Sequence, residues 1–210
     1  MDLDRLIDGL GLDGLGVEGF GPGSSGPGGP GPSAAVRITD LTEDSRTVMP
    51  GSLFIARPGR ESDGRRFIRD AVQAGASAVL TDADGAADHA NLGVPVLAAD
   101  DVPLASARVA ERFFGDPSSR LTVIGITGTN GKSTVAHLVH HLLNRTGRRT
   151  GLVGTIEIDD GREVAPSGMT TLPAVELSRT LATMLEHGCV CAVMEVSSHA
   201  LDQKRVAAIA

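Results

Sequence analysis

The chain has 210 residues, 41% hydrophobic and 21% charged, which suits one large or two small globular cores and excludes a disordered or fibrous protein. Nineteen Lys and Arg against 26 Asp and Glu leave a net charge of −7, and no basic cluster is interleaved with aromatics, which argues against a nucleic-acid partner. With no Trp, no Tyr and five Phe, the core must rest on Val, Leu, Ile and Ala.

The first residues, MDLDRLIDGL, have no basic leader and no unbroken apolar stretch, and no later run approaches the length of a membrane span. A cytoplasmic protein without membrane insertion is expected. Leu3, Leu6, Ile7 and Leu10 fall at helical spacing and suggest a short amphipathic helix, with a frayed terminus as the alternative. Residues 19–33 are Gly-, Pro- and Ser-rich and cannot bury enough apolar area to offset their chain entropy, so they read as a flexible insertion.

Order should resume with a strand at 36–38, then Asp44-Ser45-Arg46, a Pro50-Gly51 turn and a strand at 52–56. A polar loop at 59–64 leads to a helix marked by Phe67, Ile68, Ala71, Val72 and Ala74 and stopped by Gly75, and strands follow at 78–80 and 94–97. A helix over 102–114, with Leu104, Val109, Phe113 and Phe114 as apolar contacts, ends at Gly115-Asp116-Pro117. The domain boundary is placed there, giving domains 1–118 and 119–210.

Residues 121–134, LTVIGITGTNGKST, read as a buried strand feeding a phosphate loop. A triphosphate crowds negative charge, so its site needs many N–H donors and no side chains in the way. Gly128 and Gly131 clear that space, backbone N–H groups of Thr129, Asn130 and their neighbours can point inward, and the following helix adds its positive end. Lys132 would sit on the β- and γ-phosphates, and the hydroxyls of Ser133 and Thr134 follow, Ser133 being placed to ligate Mg²⁺. The general G-x-x-x-x-G-K-[ST] spacing asks for glycine at 126, where Ile126 stands. A glycine-rich turn without ligand is the plain alternative.

A helix over 132–145 follows, carrying Val135, Leu138, Val139, Leu142 and Leu143. Its His137, His140 and His141 lack the interleaved acid of the zinc-helix motif and read as surface histidines. A strand-pair region at 151–158, a helix over 174–187 and a continuous apolar strand at 189–196 suggest a parallel sheet covered on both faces. Cys189 and Cys191, two residues apart in that strand, read as buried thiols. Glu195 leaves the strand at its carboxyl end, the ligand edge of open α/β sheets, and either holds Mg²⁺ or caps the next helix. Gln203, Lys204 and Arg205 would lie on a short helix, where Arg205 could grip an anion. Thr170 and Thr171 stand at a helix start, as caps or ligand contacts.

TGTNGKST, TTLPAVEL and MEVSSHALDQKR resemble the Mur ligase family, in order and spacing, and DSRTVMPGSLFIARPGRESDGRRFI resembles the N-terminal domain of its tripeptide synthetases. The resemblance implies a small α/β domain that grips a UDP-linked substrate, followed by a P-loop parallel-sheet domain that binds ATP. It implies an ATP-dependent ligase of peptidoglycan synthesis, adding diaminopimelate or lysine to UDP-N-acetylmuramoyl-L-alanyl-D-glutamate through an acyl phosphate. By position it implies UDP contacts at Ser45, Arg60, Glu61 and Ser62, and muramoyl-peptide contacts at Thr170, Thr171, Ser197, Gln203 and Arg205. ATP would lie on residues 128–134, with Lys132 and Glu195 catalytic and Ser133 and Glu195 on Mg²⁺. Departures are Met169 for the Asn of many relatives, Pro173 one place late, and Ser133 for Thr. The family's central domain runs longer and is followed by an amino-acid-binding domain, so the chain is expected to be an N-terminal fragment, insufficient for turnover alone. A non-catalytic binder of UDP-muramoyl-peptide or ATP, and an unrelated P-loop kinase or GTPase, are the rival readings.

Overall fold

The computed structural model describes residues 1–8, 36–58 and 63–210 and divides into two units, Met1–Ala105 and Ser106–Ala210. The expected insertion at 19–33 and the contacts at Arg60, Glu61 and Ser62 lie outside the described residues.

In the first unit, helix α1 (Leu3–Ile7) buries Leu3 and Leu6. The segment at 36–38 forms no sheet strand; Arg37 makes an isolated bridge with Asp2, and Ile38 N donates to Met1 O. The sheet begins four residues later with β1 (Asp40–Thr42), followed by β2 (Ser52–Ile55), helix α2 (Ile68–Gln73), β3 (Ala78–Thr81), helix α3 (Ala83–His89) and β4 (Val96–Ala98). The strands lie in the order β1-β2-β3-β4, all parallel, with Leu41 opposite Leu53, Phe54 opposite Val79 and Leu80 opposite Leu97. Parallel strands covered on both faces need continuous apolar runs, and β2 and β3 are buried throughout. Phe54 and Val79 pack with Ile68 and Ala71 of α2, and each large side chain so buried contributes about 1.5–3 kcal/mol. Helix α3 has no counterpart in the sequence reading, although Asp82 accepts from Gly85 N at 2.9 Å as an N-cap.

The division between the units falls inside helix α4 (Val102–Phe113). The apolar residues that this helix buries are Val102, Ala105, Ala107, Val109 and Ala110, mostly small, together with Ser106 and Glu111, whereas Phe113 and Phe114 are half-buried. The second unit continues with β5 (Thr122–Ile126), helix α5 (Lys132–Arg145), β6 (Thr150–Val153), β7 (Glu157–Asp159), β8 (Val164–Pro166), helix α6 (Ala174–Glu186), β9 (Cys191–Glu195) and helix α7 (Ser198–Asp202). Its sheet order is β5-β9-β6-β7-β8. The first three strands are parallel, and β7 and β8 extend them as an antiparallel pair.

Strand β9, between two neighbours, is buried at every residue. Strand β5 is partly exposed, contrary to the buried strand read from its apolar letters, because it lies at the sheet edge. Helix α5 packs Ala136, Val139 and Leu143 against Leu152 and Val193 on one face, and α6 packs Leu177, Leu181 and Met184 against Val153, Ala192 and Met194 on the other. The start of β5 is fixed by a buried carboxylate: Glu111 accepts from Ser118 Oγ and Ser178 Oγ, each at 2.6 Å. Among the described residues no helix is long and apolar enough to cross a membrane.

Candidate active site

At the carboxyl end of β5 the chain turns through residues 127–131, all exposed, into α5. Gly128 and Gly131 take φ of 145° and 81°, in the left-handed region that side chains disfavour. Gly131 is the N-cap of α5 and has no side chain to accept from the first-turn N–H groups, so those donors face outward as they do in anion sites. Lys132 folds back, its Nζ donating to Gly128 O at 2.9 Å.

The first turn of α5 is joined to the end of β9. Glu195 is wholly buried, and its Oε2 accepts from Ser133 Oγ at 2.9 Å. Thr155, in the β6–β7 connection, donates its N–H to Oε1 at 2.8 Å and its hydroxyl to Oε2 at 3.2 Å. The approach is close: a Cβ on Gly154 would lie 2.7 Å from Glu195 Oε1. One carboxylate and one hydroxyl side by side are hard oxygen donors, a set that suits Mg²⁺, which keeps several waters and shares phosphate oxygens.

The same end of β9 gathers the next segment. Thr171 is buried; its hydroxyl donates to Glu195 O at 2.9 Å and accepts from Ser197 N at 3.1 Å. Thr170 Oγ1 lies 3.1 Å from Thr155 Oγ1. Arg205 Nη1 donates to Thr171 O at 2.7 Å, while its Nε and Nη2 donate to Gln203 Oε1 at 3.0 and 2.7 Å. Met169 Sδ lies 3.9 Å from Arg205 Nη1. Ser197 caps α7, accepting from Ala200 N at 3.1 Å. Helix α7 stops at Asp202, so Gln203, Lys204 and Arg205 lie past it, with Lys204 at φ 56°, rather than on a helix as the sequence suggested.

Lys132, Ser133, Thr170, Thr171, Glu195, Ser197, Gln203 and Arg205 are therefore brought to one sheet edge. Thr155 and Gly154 belong to this cluster and escape the sequence reading; the only signal is a Gly-Thr pair just past an apolar strand. His137 Nε2 lies 3.4 Å from Glu157 Oε1 and His140 Nε2 lies 3.2 Å from Asp159 Oδ2. Among the described residues no group of three or more His, Cys, Asp or Glu is arranged to hold a metal. Ser45 belongs to the first unit, half-buried at the start of a 3₁₀ turn, Ser45–Thr47. Beside it Asp44 caps that turn, and the hydrogen-bonded Arg46 guanidinium holds the Asp44 carboxyl below the ordinary carboxylate range.

A strand, a glycine loop and an open helix N-terminus, with a carboxylate ending the neighbouring strand, make the second unit a phosphate-loop α/β unit. The family model described as Mur ligase middle domain matches residues 126–210, and that described as Mur ligase family, catalytic domain, matches residues 37–114. The chain belongs to the Mur ligase family. It is 44% identical, over 174 residues, to the UDP-N-acetylmuramoyl-L-alanyl-D-glutamate–2,6-diaminopimelate ligase of Listeria innocua serovar 6a, covering 83% of this chain and 34% of that one. It is 45% identical, over 172 residues, to the ligase of the same name from Streptomyces coelicolor, covering 82% and 34%. A solved structure of a ligase of that name superposes with a TM-score of 0.65 at 29% identity, over 80% of this chain and 34% of that one. The MurF ligase from Thermotoga maritima, solved in complex with ADP, shares the fold, with a TM-score of 0.54 at 21% identity over 83% and 35%. The chain thus spans about a third of the length of the curated relatives it matches.

Proposed function

We propose that this chain supplies the ATP-binding and UDP-substrate-binding parts of a ligase that adds the third amino acid to UDP-N-acetylmuramoyl-L-alanyl-D-glutamate in the cytoplasm. The observation that carries the reading is the 2.9 Å contact between Ser133 Oγ and Glu195 Oε2. It joins the hydroxyl that follows the loop lysine to the carboxylate that ends the adjacent strand, which is the pairing a Mg²⁺-nucleotide requires. The names of the relatives support diaminopimelate as the amino acid added. The stretch at 115–125 between the two family matches supports a domain boundary near Ser118.

In this reading the N–H groups of residues 128–134 hold the phosphates, and Lys132 leaves Gly128 O to neutralise the γ-phosphate. Ser133 and Glu195 would hold Mg²⁺, which when bound withdraws charge from the phosphate oxygens. Thr155 keeps the Glu195 carboxylate aimed. Thr170, Ser197, Gln203 and Arg205 would orient the muramoyl-peptide, with the buried Thr171 hydroxyl positioning their segment. The substrate carboxylate attacks the γ-phosphorus, ADP leaves, and the resulting acyl phosphate is opened by the incoming amine, which releases phosphate and forms the amide. Catalysis rests on positioning and charge stabilisation. Ser45, with Arg60, Glu61 and Ser62, would hold the UDP end.

The test is calorimetric titration of the chain and its Ser45→Ala variant with a Mg²⁺-bound non-hydrolysable ATP analogue and with the UDP-muramoyl-dipeptide. The variant should weaken UDP-substrate binding by about tenfold, the worth of one lost hydrogen bond, and leave the nucleotide affinity alone. Equal loss of both would argue against separate sites. Amide formation, assayed in parallel, separates a ligase part from a non-catalytic binder.

A further inference from the structure

His137 and His140 are three residues apart on α5, so they share a helix face. Glu157 and Asp159 are two apart on β7, so they share a sheet face. These two faces meet: His137 Nε2 lies 3.4 Å from Glu157 Oε1, and the buried His140 Nε2 lies 3.2 Å from Asp159 Oδ2. Ile158, between the two carboxylates, turns the other way and packs on the cluster that contains Leu181 and Met184 of α6. Histidines that read as solvated from the sequence are thus rungs between α5 and β7.

The rungs matter because the ladder behind β7 is short. Leu152 stands opposite Asp159 and Val153 opposite Ile158, Gly154 N donates to Glu157 O at 3.0 Å, and β8 beyond is exposed at all three residues. Thr155, which holds Glu195, lies two residues before Glu157. On the other side His137 Nδ1 lies 2.8 Å from Ser133 O. A carbonyl and a carboxylate oxygen only accept, so a ring lying between the two presents an N–H to each. A circuit closes: Ser133 Oγ to Glu195, Glu195 to both donors of Thr155, the chain from Thr155 to Glu157, Glu157 to His137, and His137 back to Ser133 O. Glu195 sits inside that circuit, so the separation of α5 from β7 sets where its carboxylate points.

We propose that His137 and Glu157, with His140 and Asp159 behind them, are positioning residues. They hold the β6–β7 connection against the first turn of α5, so that Thr155 aims the Glu195 carboxylate at the place beside Ser133 where a cation binds. Groups that orient a metal ligand in this way are worth about 10–100-fold in metal affinity. The effect on Mg²⁺ rests on the reading of Ser133 and Glu195 as its ligands; the hold on Thr155 does not.

The test has two readouts on the chain itself. Without metal, His137→Ala and Glu157→Ala should each speed hydrogen exchange of the Thr155 amide by at least about tenfold, while the amides of β9 stay protected. In titrations with a non-hydrolysable ATP analogue, the Mg²⁺ concentration for half-maximal binding should rise at least about tenfold, and the affinity of the analogue in EDTA should stay as it is. The double variant should do no more than either single one, because both remove the same contact. His137→Gln, which keeps a side-chain N–H at the reach of Nε2, should restore both readouts; His137→Asn, which keeps one at the reach of Nδ1, should not. Unchanged Thr155 exchange in both alanine variants overturns the proposal. Rescue by Asn in place of Gln also overturns it, by assigning the effect to the Ser133 carbonyl alone. Loss spread over all amides, or equally over binding with and without Mg²⁺, makes the pair a general support of the fold and overturns it too. If the unaltered chain binds the analogue no better with Mg²⁺ than without, the Mg²⁺ reading of the site fails, and Thr155 exchange still decides the positioning.

Discussion

The phosphate loop and the Glu195 cluster are neighbours with opposite construction. Residues 127–131 are exposed, and Lys132 is tied down by one bond to the carbonyl of Gly128. Glu195 is wholly buried and held through Ser133 and through both donors of Thr155. The loop's shape resides in backbone torsions, so its chemistry is carried by a few adjacent residues. The carboxylate's position depends on groups 40 and 62 residues away in sequence. A change in the loop should therefore act on ligand and leave the fold alone, whereas a change in the cluster should act on both.

The sharpest break in that contrast is Lys132→Ala. In a protein that extends this chain at Ala210 with the remaining length of the Listeria innocua ligase, ATP-dependent turnover should fall by about 10³-fold, as on loss of a transition-state charge contact. The urea midpoint of the chain itself should barely move, because the side chain makes a single exposed hydrogen bond, to Gly128 O. Unchanged turnover would remove the loop from the reaction. Glu195→Ala should behave otherwise, costing about 2–3 kcal/mol in urea unfolding, since it leaves the Thr155 N–H and the Ser133 hydroxyl without their acceptor inside the protein. A variant that unfolds at the wild-type urea concentration would show that the cluster does not support the fold.

Gly154→Ala comes next. The added Cβ would meet Glu195 Oε1 at 2.7 Å, and that carboxylate, pinned from two segments, has little room to yield. An overpacking cost of about 1–2 kcal/mol is expected, together with weaker Mg²⁺-nucleotide binding in calorimetry. Loss of stability without loss of binding would separate the cluster from the ligand site.

The loop and the helix after it were legible because local chemistry sets them: the glycines and the helix start at Lys132 fall where the letters indicate. The long-range part was not. TVIGI reads as a buried strand, and its place at the sheet edge is decided by strand order, which no local pattern encodes. Short strands followed the same rule: β8 has three exposed residues, Val164–Pro166, and belongs to the sheet only through its pairing with β7. Helix α3, rich in Ala and Asp, shows no apolar stripe and is announced by its Asp82 cap alone. In the site, Glu195 could be found because it ends an apolar strand. Thr155 could not, since a Gly-Thr pair after a strand looks like any turn until Glu195 is seen behind it.

The smallest effect isolates backbone conformation. A Cβ at Gly131 would meet nothing within 4 Å, so Gly131→Ala adds no clash, and its only cost is holding a side chain at φ 81°. That strain is worth about 1 kcal/mol, half or less of what the buried cluster should lose, and chemical denaturation will read it directly. Nucleotide affinity should fall by about the same free energy, roughly fivefold, if binding requires the left-handed turn to be kept. Should affinity collapse while stability moves by so little, the turn itself, with the N–H groups it aims, is the binding element; should affinity hold, the loop tolerates a different path and the donors of α5 suffice.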